Sequence, residues 1–121
     1  MATQNKTDID QLLADSLKQL ASKKLLEKIT IKEITDLAGV IRPTFYNHFQ
    51  DKFELLEWII KKELLEPVQP LIRNDMFTEA MLLLFTNIER DKAFYSHVVK
   101  LEGPVTFHSI ASKCVREVLL T

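Results

Sequence analysis

The chain has 121 residues, 46% hydrophobic and 27% charged, with 16 Lys and Arg against 17 Asp and Glu for a formal net charge of −1. Two Gly and four Pro exclude collagen-like and low-complexity composition, and the single cysteine, Cys114, excludes an internal disulfide and a cysteine-based zinc site. The longest apolar run, Ala80–Phe85, falls well short of the ~18 residues of a spanning helix. Met1–Lys6 leads into no signal-peptide core, so a cytoplasmic, non-membrane protein is expected. Residues 1–62 hold 10 basic and 9 acidic side chains and residues 63–121 hold 6 and 8, so charge neither demands nor forbids a nucleic-acid partner.

Helical periodicity runs the length of the chain and no strand is expected: the fold class is all-α. Thr7 is placed to cap a first helix whose apolar stripe is Ile9, Leu12, Leu13, Leu17, Leu20 and Ala21, with Asp10, Asp15, Lys18 and Lys23 outside it. Thr30-x-x-Glu33 reads as a capping box opening a second helix with Ile34, Leu37 and Ala38 inward. Gly39 sits where a left-handed terminator is wanted, with Val40 as its hydrophobic partner. Pro43 suits the first turn of a third, aromatic helix from Arg42 to about Phe49. Asp51-x-x-Glu54 reads as a second capping box, before a helix carrying Leu55, Leu56, Ile59, Ile60 and Leu64.

Pro67 and Pro70 are expected to interrupt that helix and separate two halves. Phe77–Glu89 is apolar on most sides and is expected at the centre of a helical bundle, with Ala80–Phe85 buried. A turn at Arg90-Asp91 precedes a helix to about Leu101. Glu102-Gly103-Pro104 breaks the chain, and a last helix carries Phe107, Ile110, Ala111, Cys114, Val118 and Leu119.

Two short helices joined by a glycine turn between Thr30 and Phe49 have the layout of a helix-turn-helix, whose second helix enters the major groove. Thr44, Tyr46 and His48 supply phosphate-directed donors, Arg42 suits guanine, and Lys52 suits a phosphate. No catalytic constellation, glycine-rich phosphate loop or metal-ligand spacing is present, so no enzyme, cofactor or metal is expected. His97 and His108 read as structural, Cys114 as a small core residue, and Glu54, Glu57, Lys61 and Lys62 as a solvated face. Trp58, Phe77, Met81, Phe85, Phe94 and Tyr95 fit a ligand cavity less well than plain core.

At these residues the sequence resembles the TetR (TetR/AcrR) family of transcriptional regulators. Ile29–Val40 is similar to the family's second helix and turn, and Arg42–Leu56 to its recognition helix and the start of its fourth. The most specific part is Thr-aromatic-Tyr-x-His-Phe-x-x-Lys-x-x-Leu-Leu at Thr44–Leu56, and the likeness covers roughly residues 9–62. Ala14-Asp15-Ser16 and Trp58-Ile59 are most similar to the dihydroxyacetone-kinase-regulator (DhaS-like) branch.

The resemblance implies a helix-turn-helix head at 1–52 and a helical regulatory and dimerisation body at 53–121, linked by a helix at 51–66. It implies a double-stranded DNA operator bound by a homodimer, under a small-molecule effector or a protein co-regulator acting on the body. Residue by residue, Arg42, Pro43 and Thr44 match positions that reach bases. Thr30, Tyr46, His48 and Lys52 match those that grip phosphates, Lys32 matches the groove edge, and Phe45 and Phe49 match core. Ile41 stands where the family has a capping Ser or Thr. The family's body generally extends past the 121 residues here into two dimerisation helices, so the expectation is that those helices are missing from this chain. The alternative is a helical interaction module that binds a protein co-activator, with DNA contact secondary or lost.

Overall fold

The structure, a computed structural model, describes residues 6–120, with side chains from residue 9 onward. It is helical, with no strand among the described residues: α1 (Lys6–Ala21), a 3₁₀ turn (Leu26–Lys28), α2 (Ile31–Ala38), α3 (Arg42–His48), α4 (Lys52–Ile60), a π turn (Lys61–Leu65), α5 (Glu66–Arg73), α6 (Phe77–Arg90), α7 (Lys92–Val98) and α8 (Phe107–Leu119). No helix among the described residues is long and apolar enough to cross a membrane. One continuous hydrophobic cluster runs from Leu13 and Phe45 through Leu55 and Ile59 to Phe94, Ile110 and Cys114.

Helix α1 opens at Lys6, so Thr7 lies inside its first turn, and the expected cap falls outside the described side chains. Leu13, Leu17 and Ala21 are buried. Two polar positions assigned to the outside of that stripe turn inward instead. Asp10 is buried, and Lys18 Nζ bridges Glu63 and Asp91, each at 2.8 Å. Burial pulls the Lys18 ammonium down, but hydrogen bonds to Asp91 and Glu63 outweigh it and hold its pKa above the ordinary value. Periodicity marks charged residues as outward; it cannot see carboxylates supplied by helices far along the chain.

In α2 the Thr30 side chain accepts the Glu33 N–H at 3.1 Å while the Glu33 carboxylate accepts the Thr30 N–H at 2.9 Å, closing the capping box. Gly39 takes the left-handed conformation (φ 76°), and its N–H and that of Val40 donate to the Thr35 carbonyl. Leu37 does not point inward: it is exposed, and Thr35 is buried instead, its hydroxyl donating to the Ile31 carbonyl at 3.0 Å. The hydroxyl is satisfied by its own helix, so burying it costs little. Asp51 caps α4 by accepting the Glu54 N–H at 2.8 Å, but the Glu54 carboxylate takes the Gln50 N–H, one residue upstream of the expected box.

The prolines do not interrupt the chain where expected. Helical backbone continues from Lys52 to Arg73 and stops only at Asn74–Asp75. Pro67 sits in the first turn after the π segment, and the Asn87 amide donates to the Glu63 carbonyl, four residues before it, at 3.1 Å. A wider turn plus an outside donor lets the helix pass a residue with no N–H.

Helix α6 is not the centre of a bundle. Only Ala80 is fully buried, Leu84 is half-buried against the core, and Phe77, Met81, Leu82 and Phe85 are exposed. Phe94 and Tyr95 are core, whereas Phe77, Met81 and Phe85 are not: they are exposed and line an open surface hollow of about 380 Å³ with Thr78 and Leu82. The Tyr95 hydroxyl is buried without a hydrogen-bond partner, and burial pushes its pKa far up. Glu57 and Lys61 form no solvated face: Lys113 lies 3.2 Å from Glu57 and Lys61 pairs with Glu117, tying α4 to α8. Cys114 is buried beneath that seam, which raises its thiol pKa to about 11.

Candidate nucleic-acid interface

Helix α3 is built to keep one face in and one face out. Pro43 pre-sets the helical φ at a position that needs no N–H. Phe45 and Phe49 are buried and stack at 6.0 Å, and Phe49 meets the Trp58 ring edge-on at 6.4 Å, which fixes the roll of the helix on α4. The opposite stripe is Arg42 and Pro43, then Tyr46 and Asn47 one helical turn on, all exposed. The Tyr46 ring packs edge-on against Phe45 at 5.4 Å, so its position on the outer face is set by the core.

The residue at the N-cap, Ile41, is extended (φ −94°, ψ 161°), offers no side-chain cap and is 68% exposed. Arg42 makes no hydrogen bond or ion pair among the described residues, leaving its guanidinium at the open end of the stripe. Thr44 is half-buried, behind Arg42 and Pro43. On α2, Thr30 and Lys32 are exposed at its start, and Lys32 pairs with Asp36 at 2.7 Å across one turn. Such an exposed pair is weak, so it leaves the ammonium free to exchange partners.

His48 and Lys52 sit differently from the rest. His48 Nδ1 lies 2.8 Å from Asp10 Oδ1, a mostly buried pair that joins α3 to α1, and Nε2 is the ring atom that Asp10 does not engage. Lys52 Nζ lies 2.7 Å from the Leu26 carbonyl, 2.7 Å from that of Ile29 and 3.3 Å from that of Glu27. An ammonium has three hydrogens, and three carbonyls of the 3₁₀ turn face it, so this side chain ties the turn to α4 instead of standing free for a phosphate. Burial lowers its pKa despite the nearby Glu27 and Glu33 carboxylates.

The site residues thus divide: Arg42, Pro43 and Tyr46 share one exposed face, Thr30 and Lys32 stand at the start of α2, Thr44 and His48 are half-buried, and Lys52 is engaged internally. Asn47 lies on the same stripe as Arg42 and was not singled out from the sequence. One turn of four residues on from Pro43 reaches it. Among the described residues no group of three or more His, Cys, Asp or Glu side chains is arranged to hold a metal.

Residues 14–59 match the profile of the bacterial regulatory proteins, tetR family. Over 92 residues the chain is 26% identical to the HTH-type dhaKLM operon transcriptional activator DhaS of Lactococcus lactis subsp. lactis (strain IL1403). That alignment takes in 76% of this chain and 49% of the relative, so the chain spans about half the length of the curated relative it matches.

Proposed function

We propose that the chain is a tetR-type regulator, as the match of residues 14–59 to that family's profile supports, and that it binds DNA sequence-specifically to control transcription. The observation that carries this is the exposed polar stripe of α3, held in register by two buried phenylalanines. In a helix-turn-helix such a face meets base edges in the major groove. Arg42 reads a base, bidentate to guanine; Asn47 suits adenine. Tyr46, Thr30, Lys32 and the free edge of His48 hold the phosphate backbone. Thr44 supports Arg42 and Pro43 from behind, and Lys52 contributes through the fold of the head.

Residues 1–52 act as the head and residues 53–121 as the regulatory body. Two heads reading a two-fold operator, with half-sites about 34 Å apart, require a homodimer. Control by an effector or a protein co-regulator acts on the body and reaches the head along the unbroken helix Lys52–Arg73 and through Lys18, which holds Glu63 and Asp91 from α1. The relative is named as an activator of an operon, and we take activation as the direction here as well.

Fluorescence anisotropy with duplexes tiled across the region upstream of the gene tests the reading. One tile is expected to bind at least tenfold tighter than a scrambled duplex of the same composition. Equal affinity for every tile and for the scramble contradicts it and favours the co-activator-binding module.

A further inference from the structure

The contact between α3 and α1 limits what His48 can offer to DNA. His48 Nδ1 lies 2.8 Å from Asp10 Oδ1, and the two side chains are only 14 and 11% exposed. A carboxylate accepts hydrogen bonds and donates none, so Nδ1 supplies the hydrogen between them. A neutral imidazole has one N–H. With that hydrogen committed to Asp10, Nε2 carries a bare lone pair. A backbone phosphate is likewise an acceptor, and two acceptors form no hydrogen bond.

We propose that this head binds DNA with uptake of a proton: His48 holds a phosphate through Nε2 only as the imidazolium, and Asp10 is the positioning residue that imposes this. The proposal rests on the DNA-binding reading above and adds the protonation state in which the head binds. In the free head one hydrogen lies between Nδ1 and Asp10. In the complex a second lies between Nε2 and the phosphate, and it comes from solvent. The count is the same with the first hydrogen on Asp10, since Nε2 still needs one of its own. Asp10 at one ring nitrogen and a phosphate at the other favour the charged ring more in the complex than in the free head.

The ring is not sealed off: it lines an open hollow of about 270 Å³ with Glu54, Glu57, Trp58 and Lys61 of α4. The charged groups there already have partners. Glu54 accepts the Gln50 N–H at 2.7 Å, Glu57 lies 3.2 Å from Lys113, and Lys61 pairs with Glu117. From α1 the facing group is Asp10, and among the described residues no charged side chain of α2 lines the hollow. On α3 itself Arg42 stands six residues away, about 9 Å along the helix. Carboxylates ordinarily titrate near about 4 and ammonium groups near about 10. Of the side-chain types around the ring, only an imidazole therefore changes charge between about pH 5.5 and about pH 8.

Fluorescence anisotropy of the 121-residue chain on the preferred duplex and its scramble, from about pH 8 to about pH 5.5 at constant ionic strength, tests this. Affinity for both duplexes is expected to rise on acidification by about fivefold or more per head. The ratio between them should hold, because a phosphate contact carries no sequence information. His48→Gln places a donor near the Nε2 position that does not titrate, and is expected to gain less than about twofold. Asp10→Asn supplies an amide that donates to Nδ1, which moves the ring hydrogen to Nε2 and lets the neutral ring hold the phosphate. That variant is expected to bind at about pH 8 at least as tightly as the parent and to show less than half its gain. A pair that only held the fold would leave the pH profile of both variants as in the parent. His97→Gln with His108→Gln, both in the body, is expected to keep the parent's profile. A parent that prefers its operator with an affinity flat across the series overturns the proposal and leaves DNA recognition standing. The full gain retained by His48→Gln or by Asp10→Asn overturns it in the same way. Failure of the parent to bind either duplex at any pH removes the DNA-binding reading and this proposal with it.

Discussion

Truncating Lys52 to alanine strips the Leu26 and Ile29 carbonyls of a donor at 2.7 Å each and the Glu27 carbonyl of a longer contact at 3.3 Å. A hydrogen bond to a charged group is worth about 1.5–3 kcal/mol, and a buried acceptor left bare costs about 1–3 kcal/mol. These describe the same loss from two sides, so they are counted once per carbonyl. The third contact is long, the Glu27 side is exposed, and the truncation also relieves the desolvation that lowers the lysine's pKa. The net cost comes to about 2–4 kcal/mol. For a chain of this length that is a fall of roughly 8–16 °C in Tm, read by far-UV circular dichroism. Below the melt, the slope of log affinity against log salt on DNA should match the parent's, because no phosphate contact has been removed. A variant that melts within 2 °C of the parent while losing about one unit of salt slope would refute the reasoning and make Lys52 a phosphate ligand.

Asp10→Ala leaves His48 without its partner 2.8 Å away and is expected to cost about 1–3 kcal/mol of stability. It should also weaken operator and scrambled duplex alike; unchanged affinity in the folded variant would limit the pair to holding the fold. Cys114, fully buried with its thiol raised to about 11, is expected to resist a disulfide reagent at pH 8 and react fully in guanidinium. Prompt reaction of the native protein would show an open site. The Glu33 carboxyl is held below its ordinary 4.5 by hydrogen bonds from Lys24 and the Thr30 N–H, and Glu117 by its hydrogen bond with Lys61. Both are depressed in the fold, so their stabilisation is complete above about 4.5 and is lost as pH falls through the folded values. Urea melts between about pH 5 and about pH 3 should show that loss, and it should be smaller in a Glu33→Gln, Glu117→Gln double variant.

What could be read from the sequence was what depends on neighbours in the chain. Thr30 with Glu33, Gly39 and Pro43 each act within four residues, and they located α2, the turn and α3 closely. What could not be read depends on distant partners. Lys52 looks like a free cation until the turn 23–26 residues earlier folds against it. Asp10 looks solvated until His48, 38 residues on, arrives beside it. Pro67 reads as a break because the Asn87 amide that meets the Glu63 carbonyl lies in another helix. The apolar character of α6 was plain, but composition does not say which face the core takes up: Ala80 is buried while Phe77, Met81, Leu82 and Phe85 are exposed. Asn47 belongs with the legible part: it stands one turn on from Pro43, so its place on the exposed stripe follows from helical geometry alone.

Base readout by Arg42 is the point on which DNA recognition turns, and a salt titration of Arg42→Ala on the preferred duplex and its scramble tests it most directly. Loss of a bidentate contact to one base predicts about 1–3 kcal/mol, or roughly 5–150-fold, on the preferred duplex and relaxed preference at one base pair. On the scramble, loss of the charge alone should reduce affinity far less. Equal losses on both duplexes would make Arg42 a phosphate contact, and no loss on either would mean that α3 is not a DNA-reading helix.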